Sequence, residues 1–334
     1  AVPVVAIRPA LIRAVAVLAF VLAAGAAQAV VPAIERARDW LVTRQRADGA
    51  IADAGNPLFE TWETVIAARA LASSRAARDM AATAAALDYL ERQQNADGLL
   101  CHNRRCREAT CVETSAEYLQ LLIDAGDRSR ARERWPALLA HRQPDGRFLV
   151  GNPDVRERRD FASVTAFVLA VGLRLGQHGP ALQRSQDWLR RARTPRGDFG
   201  SAWEYYGTPA YALWPAARAW SGQSAAARQS RRDLLDWART TQHDDGRWSF
   251  QQAVDGHQVS DALETALMLL AVRESAAPAR LASPAHRALL KLQQPDGHWE
   301  GGWFPVPSAT YEKREDVFAT AIAILALQAE ASSR

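Results

Sequence analysis

Acidic side chains recur along the chain four residues before a threonine, a spacing that could serve acid catalysis. The pairs are Glu60 and Thr64, Glu204 and Thr208, Asp261 and Thr265, and Asp316 and Thr320, while Glu63, Glu113 and Glu264 stand directly before a threonine. In the first turn of a helix an acid interacts favourably with the helix dipole, by about 0.3–1 kcal/mol, which explains each one structurally. Carboxylates crowded around one cavity instead raise one another's pKa and so make a proton donor. The catalytic candidates under this second interpretation are Asp261, Glu264, Glu204, Glu60 and Asp316.

Aromatic residues accompany these acids. The candidates for substrate binding are Trp62, Trp203, Tyr205, Tyr206, Tyr211, Trp214 and Phe318. The segment SAWEYYGTPAYALWP, residues 201–215, is the densest in aromatic rings. Aromatic faces could stabilise a developing carbocation through cation–π attraction, or they could stack against a sugar ring. The alternative is that they only pack in the core.

An internal repeat predicts the elements that position these residues. Turn sequences such as QNADG, QHDDG and QQPDG recur, and the residues before the turn glycines are numbers 48, 97, 145, 196, 245 and 296. The steps between them are 49, 48, 51, 49 and 51, which is too even to be accidental and indicates a repeat protein. The glycine supplies the left-handed residue that closes the end of a helix.

Two kinds of helix alternate between these turns. Segments before a turn, such as RDLLDWARTTQ, are amphipathic, which predicts a helix exposed on one side. Segments after a turn, such as DVFATAIAILAL, are apolar on nearly every face, which predicts burial all round. We therefore expect an all-α fold, an α/α toroid of six helical hairpins with an inner and an outer ring. An open superhelix is the alternative, but it would leave the strongly apolar last helix without a polar cap.

Two turns carry a more specific pattern, in which a glutamine precedes a glycine by four residues and a tryptophan by six. The copies are Gln242, Gly246 and Trp248, and Gln293, Gly297 and Trp299. The pattern resembles the QW motif of the squalene-hopene and oxidosqualene cyclases. From about residue 32 to the end, the chain resembles the superfamily that contains these cyclases and the β-subunits of protein prenyltransferases. The resemblance implies the toroid fold, chemistry at the amino ends of the inner helices, and an isoprenoid or similar apolar substrate. We expect no cofactor.

The chain departs from each mechanism found in that superfamily. Class II terpene cyclases carry Asp-x-Asp-Asp-Thr, whose middle Asp protonates an alkene, but the segment 261–265 has Leu263 in the middle and the segment 60–64 has Trp62. The Asp, Cys and His that hold zinc in protein prenyltransferases are not recognised, and neither is the Gly-Cys-Gly-Glu-Gln thioester sequence. We therefore assign no metal site from the sequence, and the enzymatic interpretation stays open.

The first 29 residues have the pattern of a targeting segment. Arg8 and Arg13 precede the apolar run AVAVLAFVLAAGAAQA, which ends in a small-x-small cleavage pattern typical of a secretory signal. A retained membrane anchor is the alternative, because the apolar stretch is long enough to span a bilayer. We expect residues 30–334 to form a single toroid domain that is periplasmic or secreted, or associated with a membrane through the N-terminus. No basic run with interleaved aromatic residues is present, so nucleic acid is not an expected partner.

The three cysteines lie together, at positions 101, 106 and 111. In an oxidising compartment two of them could form a disulfide around this loop and leave the third free. His102 beside them makes a metal site the alternative.

Three functions are compatible with these patterns. The first is an enzyme or binder for an isoprenoid or similar apolar chain. The second is a glycan-active hydrolase or lyase, which needs two acids about 5–9.5 Å apart. The third is a non-catalytic scaffold for a peptide or protein. A deep closed pocket favours the first, an open cleft with facing carboxylates the second, and a mouth filled by side chains the third.

Overall fold

The computed structural model describes residues 30–54, 59–151, 162–194, 199, 208–221, 224–250, 258–305 and 312–331. This part of the chain contains twelve α-helices: α1 (residues 30–43), α2 (Glu60–Ala72), α3 (Ala77–Arg92), α4 (Val112–Asp124), α5 (Arg128–Ala140), α6 (Ala162–Arg174), α7 (Pro180–Ala192), α8 (Pro209–Ala219), α9 (Ala225–Thr241), α10 (Asp261–Glu274), α11 (Ala279–Lys291) and α12 (Asp316–Ala331). A 3₁₀ helix spans Arg104–Cys106. Three short strands, β1 (Gln258–Val259), β2 (Gly302–Pro305) and β3 (Glu312–Arg314), form an antiparallel sheet in the order β1-β2-β3.

The even-numbered helices form an inner ring and the odd-numbered helices surround it. Each inner helix packs against the next, and α12 packs against α2, which closes the ring. Burial follows the sequence pattern: α2 is buried from Glu60 to Leu71, whereas the outer helix α9 buries only Ser230, Leu234 and Ala238. The predicted α/α toroid is confirmed. Among the described residues, no helix has the length and hydropathy needed to cross a bilayer.

Hydrogen bonds between the first and last repeats hold both rings closed. At the inner ring, the backbone N–H of Val317 donates to Oδ2 of Asp53 at 3.0 Å. At the outer ring, Nε2 of Gln293 donates to the carbonyl oxygens of Ala33 and Gly297, both at 2.8 Å. The turn glutamine therefore ties the last repeat to α1.

The last turn requires glycine and buries its tryptophan. Gly297 adopts a φ of 102°, and a Cβ there would lie 2.6 Å from the carbonyl oxygen of Arg36 in α1. Such a conformation and such a close approach are open to glycine alone. Nε1 of the buried Trp299 donates to the carbonyl of Leu289 at 2.7 Å, so this side chain fastens the turn to the preceding helix α11.

In five of the inner helices, a hydroxyl side chain near the amino end bonds the backbone segment that follows the preceding turn. Thr64, Ser115, Thr165, Thr265 and Thr320 each accept a hydrogen bond from the backbone N–H two residues beyond the turn glycine, at distances between 2.9 and 3.1 Å. We call these five residues the clamp hydroxyls. In the second repeat the sequence pattern had pointed to Thr114, and this alignment was wrong by one residue because Ser115 makes the bond.

Candidate active site

Glu60, one of the predicted acids, is the first residue of α2. Its side chain is only 2% exposed, and both carboxylate oxygens are engaged by guanidinium groups. Oε2 lies 2.7 Å from Nη2 of Arg46, and Oε1 lies 2.5 Å from Nε of Arg104. These ion pairs favour the structural interpretation of Glu60.

The acids at α10 and α12 also have structural partners. Asp261 forms an ion pair with Arg247 of the preceding turn. Oδ1 of Asp316 accepts a hydrogen bond from the backbone N–H of Gly301 at 3.0 Å. Both contacts tie an inner helix to the segment before it. Glu204 lies outside the described residues, and the catalytic role of all these acids stays a prediction.

The clamp hydroxyls define which residues are equivalent in the five repeats. Two positions before them stand Trp62, Glu113, Ser163, Leu263 and Phe318. When each clamp hydroxyl is aligned with the threonine of Asp-x-Asp-Asp-Thr, these five residues occupy the middle position of the motif. Glu113 is the one acid among the five. The sequence analysis noted Glu113 directly before a threonine but did not include it among the catalytic candidates, since Asp-x-Asp-Asp-Thr was compared only with the segments 60–64 and 261–265.

Glu113 is buried in the ring, with 4% of its surface exposed. Its Oε1 accepts a hydrogen bond of 2.6 Å from the phenolic hydroxyl of Tyr211 in α8. Burial raises the pKa of Glu113 to about 7; the Tyr211 hydrogen bond opposes this shift and the charge of Glu117 adds to it. A carboxyl group with such a pKa is partly protonated at neutral pH and can serve as a general acid.

Glu264 is a second buried acid, but its contacts repeat those of another acid in the fold. Its Oε2 accepts a hydrogen bond of 2.7 Å from the backbone N–H of Phe250, as Oε2 of Glu63 does from Asp53 at 3.0 Å. Each acid stands directly before a clamp hydroxyl and binds the N–H four residues beyond a turn glycine. Burial raises the pKa of Glu264 to about 7, against hydrogen bonds from Thr208 and Phe250. The repetition of this bond indicates a structural role.

Four of the predicted aromatic residues meet inside the inner ring. They are Trp62, Tyr211, Trp214 and Phe318, and Phe167, which sequence reasoning missed, joins them. Neighbouring ring centroids are 5.2–6.2 Å apart, and all five side chains are buried. We call this set the aromatic cluster. Trp203, Tyr205 and Tyr206 lie outside the described residues.

The indole nitrogens of the aromatic cluster are buried polar atoms. Nε1 of Trp62 and Nε1 of Trp214 have no hydrogen-bond partner among the described residues. An indole N–H that is buried normally finds a partner, since leaving it without one costs about 1–3 kcal/mol. These two donors are therefore buried polar groups that the described residues leave unsatisfied.

The cysteine loop supports the amino end of α2. Cys101 and Cys106 form a disulfide, and the backbone N–H of Thr61 donates to the carbonyl of His102 at 3.1 Å. Cys111 is free and buried, and burial raises the pKa of its thiol to about 12. Nδ1 of His102 lies 3.3 and 3.4 Å from the two bridged sulfurs, but sulfurs joined in a disulfide are not thiolate ligands for a metal.

Comparison with known proteins identifies solved structures that have the same fold. No family model matches the chain, and no curated protein sequence does. The type II terpene cyclase MstE from Scytonema superposes with a TM-score of 0.72 at 20% identity, over 92% of this chain and 100% of that one. Other structures of MstE contain the substrate geranylgeranyl dihydroxybenzoate or the product merosterolic acid A.

Two further solved structures have the same architecture. A protein from Actinoplanes superposes with a TM-score of 0.72 at 21% identity, over 90% of this chain and 99% of that one. The ent-copalyl diphosphate synthase from Streptomyces platensis gives a TM-score of 0.58 at 23% identity, over 81% of this chain and 51% of that one. The chain therefore has the helical toroid fold of the type II terpene cyclases.

Proposed function

We propose that this protein is a cyclase of the type II terpene class, in which Glu113 donates the proton that starts cyclisation of an isoprenoid chain. The observation that carries the proposal is the place of Glu113: it is a buried acid with a pKa raised to about 7, in the middle position before the clamp hydroxyl, and bonded to Tyr211. The fold that 92% of this chain shares with MstE supports the same reaction class.

The chemical step needs only a proton donor and a way to bear positive charge. The O–H bond of Glu113 breaks as a C–H bond forms at a terminal alkene carbon, and the resulting cation is attacked by the next double bond. The final cation loses a proton to water, so the substrate is isomerised without an oxidant. General acid catalysis of this kind typically contributes about 10²–10⁴-fold in rate.

Tyr211 and the aromatic cluster have separate roles in this mechanism. The Tyr211 hydroxyl donates to Oε1 of Glu113, which leaves Oε2 to carry the transferable proton. The faces of Trp62, Trp214 and Phe318 stabilise the cation by cation–π attraction, worth about 2 kcal/mol or more for a desolvated ring. The aromatic cluster also keeps water away from the cation until cyclisation is complete.

The test is product formation from a panel of polyprenyl compounds. The purified protein is incubated with farnesyl and geranylgeranyl alcohols, diphosphates and aryl conjugates, and products are identified by gas chromatography and mass spectrometry. We expect a cyclic isomer from at least one compound and at least a 100-fold loss in Glu113→Gln, while Glu264→Gln keeps turnover. Turnover of a polysaccharide, or tight binding of a peptide with no cyclised product, would favour the glycan or scaffold alternatives and contradict the proposal.

We also propose that the protein is exported. The pattern of residues 1–29 and the Cys101–Cys106 disulfide support this, since disulfides persist in oxidising compartments. Expression of the full chain in a bacterial host, followed by fractionation and N-terminal mass analysis, should find a mature chain that begins after Ala29 outside the cytoplasm. An uncleaved chain in the cytosol would contradict export.

A further inference from the structure

Helix α4 carries a polar stripe along the interior of the ring. Glu113, Glu117, Gln120 and Asp124 follow one another at steps of four, three and four residues, which places all four on one face of the helix. We call these residues the polar stripe. Glu113, Glu117 and Gln120 are buried, and Asp124 is the last residue of α4. A continuous polar line inside an apolar core is costly unless it has polar partners or a use.

The two carboxylate oxygens of Glu117 differ in their contacts. Its side chain is 1% exposed, and Oε2 forms an ion pair with Nη1 of the equally buried Arg69. Oε1 of Glu117 and Nε2 of Gln120 have no hydrogen-bond partner among the residues that the structure describes. Buried polar atoms of this kind are usually satisfied by internal water, and the stripe offers several polar partners to hold it.

The far end of the polar stripe reaches a cavity. Asp124 is bound by two guanidinium groups, with Oδ2 at 2.9 Å from Nε of Arg69 and Oδ1 at 2.6 Å from Nη1 of Arg174. Arg174 also donates to Oε1 of Gln120 at 2.6 Å. Arg69, Asp124 and Arg174 line a cavity of about 650 Å³ at the carboxyl ends of the inner helices, opposite Glu113. At about 30 Å³ a molecule, the cavity has room for many waters.

The charges around this cavity balance, which favours water over an ionic ligand. The three arginines that line the cavity each have a carboxylate partner: Arg174 pairs with Asp124 and Arg218 with Glu274 in the lining, and Arg69 pairs with the buried Glu117 outside it. A neutral set of this kind leaves no net charge to attract an anion or a cation. It does keep the cavity polar, so that water can enter.

We propose that the polar stripe returns protons from this cavity to Glu113, with Glu117 as the relay. The inference rests on the proposed function, because each cyclisation leaves Glu113 as a carboxylate that must be protonated again. Water in the cavity gives a proton to Oε1 of Glu117, and a bridging water passes it to Glu113 one helical turn away, where Cβ atoms are about 5–6 Å apart. The proton that the product cation loses to solvent replaces the one consumed, so the cycle is balanced.

The experiment is infrared spectroscopy of the Glu113 carboxyl group in the full protein, which needs no substrate. The C=O band of the protonated acid is recorded below pH 7 and assigned by its loss in Glu113→Gln. After rapid mixing with D₂O, the isotopic shift of this band reports how fast the proton exchanges with bulk solvent. We expect exchange at least tenfold slower in Glu117→Gln and in Gln120→Leu than in the unchanged protein. Tyr118→Phe is the matched control, because the Tyr118 hydroxyl bonds Gln94 and not the stripe, and it should leave exchange unchanged.

The outcomes separate this inference from the proposed function. If the Glu113 band is present and both stripe variants exchange as fast as the unchanged protein, the relay is overturned while Glu113 still stands as the donor. If no band depends on Glu113, the donor assignment fails and the relay fails with it. Should Glu117→Gln not fold because Arg69 loses a partner, the double variant Arg69→Gln with Glu117→Gln removes both charges and must show the same slow exchange.

Discussion

Tyr211 in α8 donates a hydrogen bond of 2.6 Å to Glu113 in α4, although α6 stands between these two helices in the inner ring. The bond crosses the interior of the toroid and joins Glu113 to a member of the aromatic cluster. It brings together an acid whose burial raises its pKa and a donor that limits this rise. The pair therefore sets the pH range in which Glu113 can give up a proton.

The rate of cyclisation should fall as the pH rises above about 7. The pKa of Glu113 is raised to about 7, so the group is protonated below this pH and ionised above it. Only the protonated form can donate, and kcat should lose close to tenfold per pH unit on the alkaline side. A pH profile of turnover from pH 5 to 9 checks this, and a flat profile would contradict the role of Glu113.

Replacing Glu113 by glutamine should change stability in a pH-dependent way. A carboxyl whose folded-state pKa is raised stabilises the fold most below its unfolded pKa and loses this contribution as the pH rises through the folded value of about 7. A glutamine at this position does not ionise, so its contribution to stability does not change over this pH range. Thermal unfolding measures this. The Tm of Glu113→Gln minus the Tm of the unchanged protein should rise by a few degrees from pH 5 to pH 8. A difference that is constant with pH would show that Glu113 has an ordinary pKa.

Removal of the Tyr211 hydroxyl should move the pH profile. The Tyr211 hydrogen bond lowers the pKa of Glu113, so in Tyr211→Phe the pKa should rise and the alkaline limb of the turnover profile should shift upward. Tyr118→Phe serves as the control because its hydroxyl bonds Gln94. An unchanged limb in Tyr211→Phe would mean that the two side chains do not interact in solution.

Glu60→Gln should lower stability without abolishing turnover. Glu60 is buried between Arg46 and Arg104, and loss of its charge weakens hydrogen bonds to two guanidinium groups. Because both arginines are partly exposed and can be hydrated, we expect a loss of about 1–2 kcal/mol in the free energy of unfolding. Urea denaturation measures this. If turnover disappears while stability is kept, the acid at α2 is catalytic after all.

Gly297→Ala tests the closure of the outer ring. Its Cβ would lie 2.6 Å from the carbonyl oxygen of Arg36, and the backbone φ is 102°. Gly126→Ala is the matched control, since Gly126 has a φ of 90° but nothing within 4 Å of the added Cβ. Both variants carry the strain of a positive φ, so Gly297→Ala should lose at least about 1 kcal/mol more. Equal losses would mean that the last turn does not touch α1.

The fold could be predicted because its signals are local and repeated. The even spacing of the turn glycines and the contrast between segments such as RDLLDWARTTQ and DVFATAIAILAL follow from burial alone, and both are present in the sequence. The candidate site was harder to predict than the fold. Ser115 stands in the place of threonine in the second clamp, so the segment 111–115 does not show the Asp-x-Asp-Asp-Thr pattern in which Glu113 would hold the middle position.

Other features of the site depend on contacts that no sequence pattern encodes. The pKa of Glu113 depends on burial and on Tyr211, which lies in a different repeat. The ion pairs of Glu60 with Arg46 and Arg104 join side chains from three different segments. The polar stripe is different: Glu113, Glu117, Gln120 and Asp124 share a helical face in the sequence itself. Polar residues at this spacing in an otherwise apolar inner helix are a signal that could have identified α4.

The most direct test of the central claim is deuterium incorporation during cyclisation. The protein is incubated in D₂O with the polyprenyl compound that it turns over best, and the cyclic product is examined by mass spectrometry. If Glu113 protonates the alkene, the product from the unchanged protein carries one deuterium at the protonated carbon, and Glu113→Gln forms at least 100-fold less of it. A cyclic product without deuterium, or Glu113→Gln that cyclises at the unchanged rate, would contradict the account.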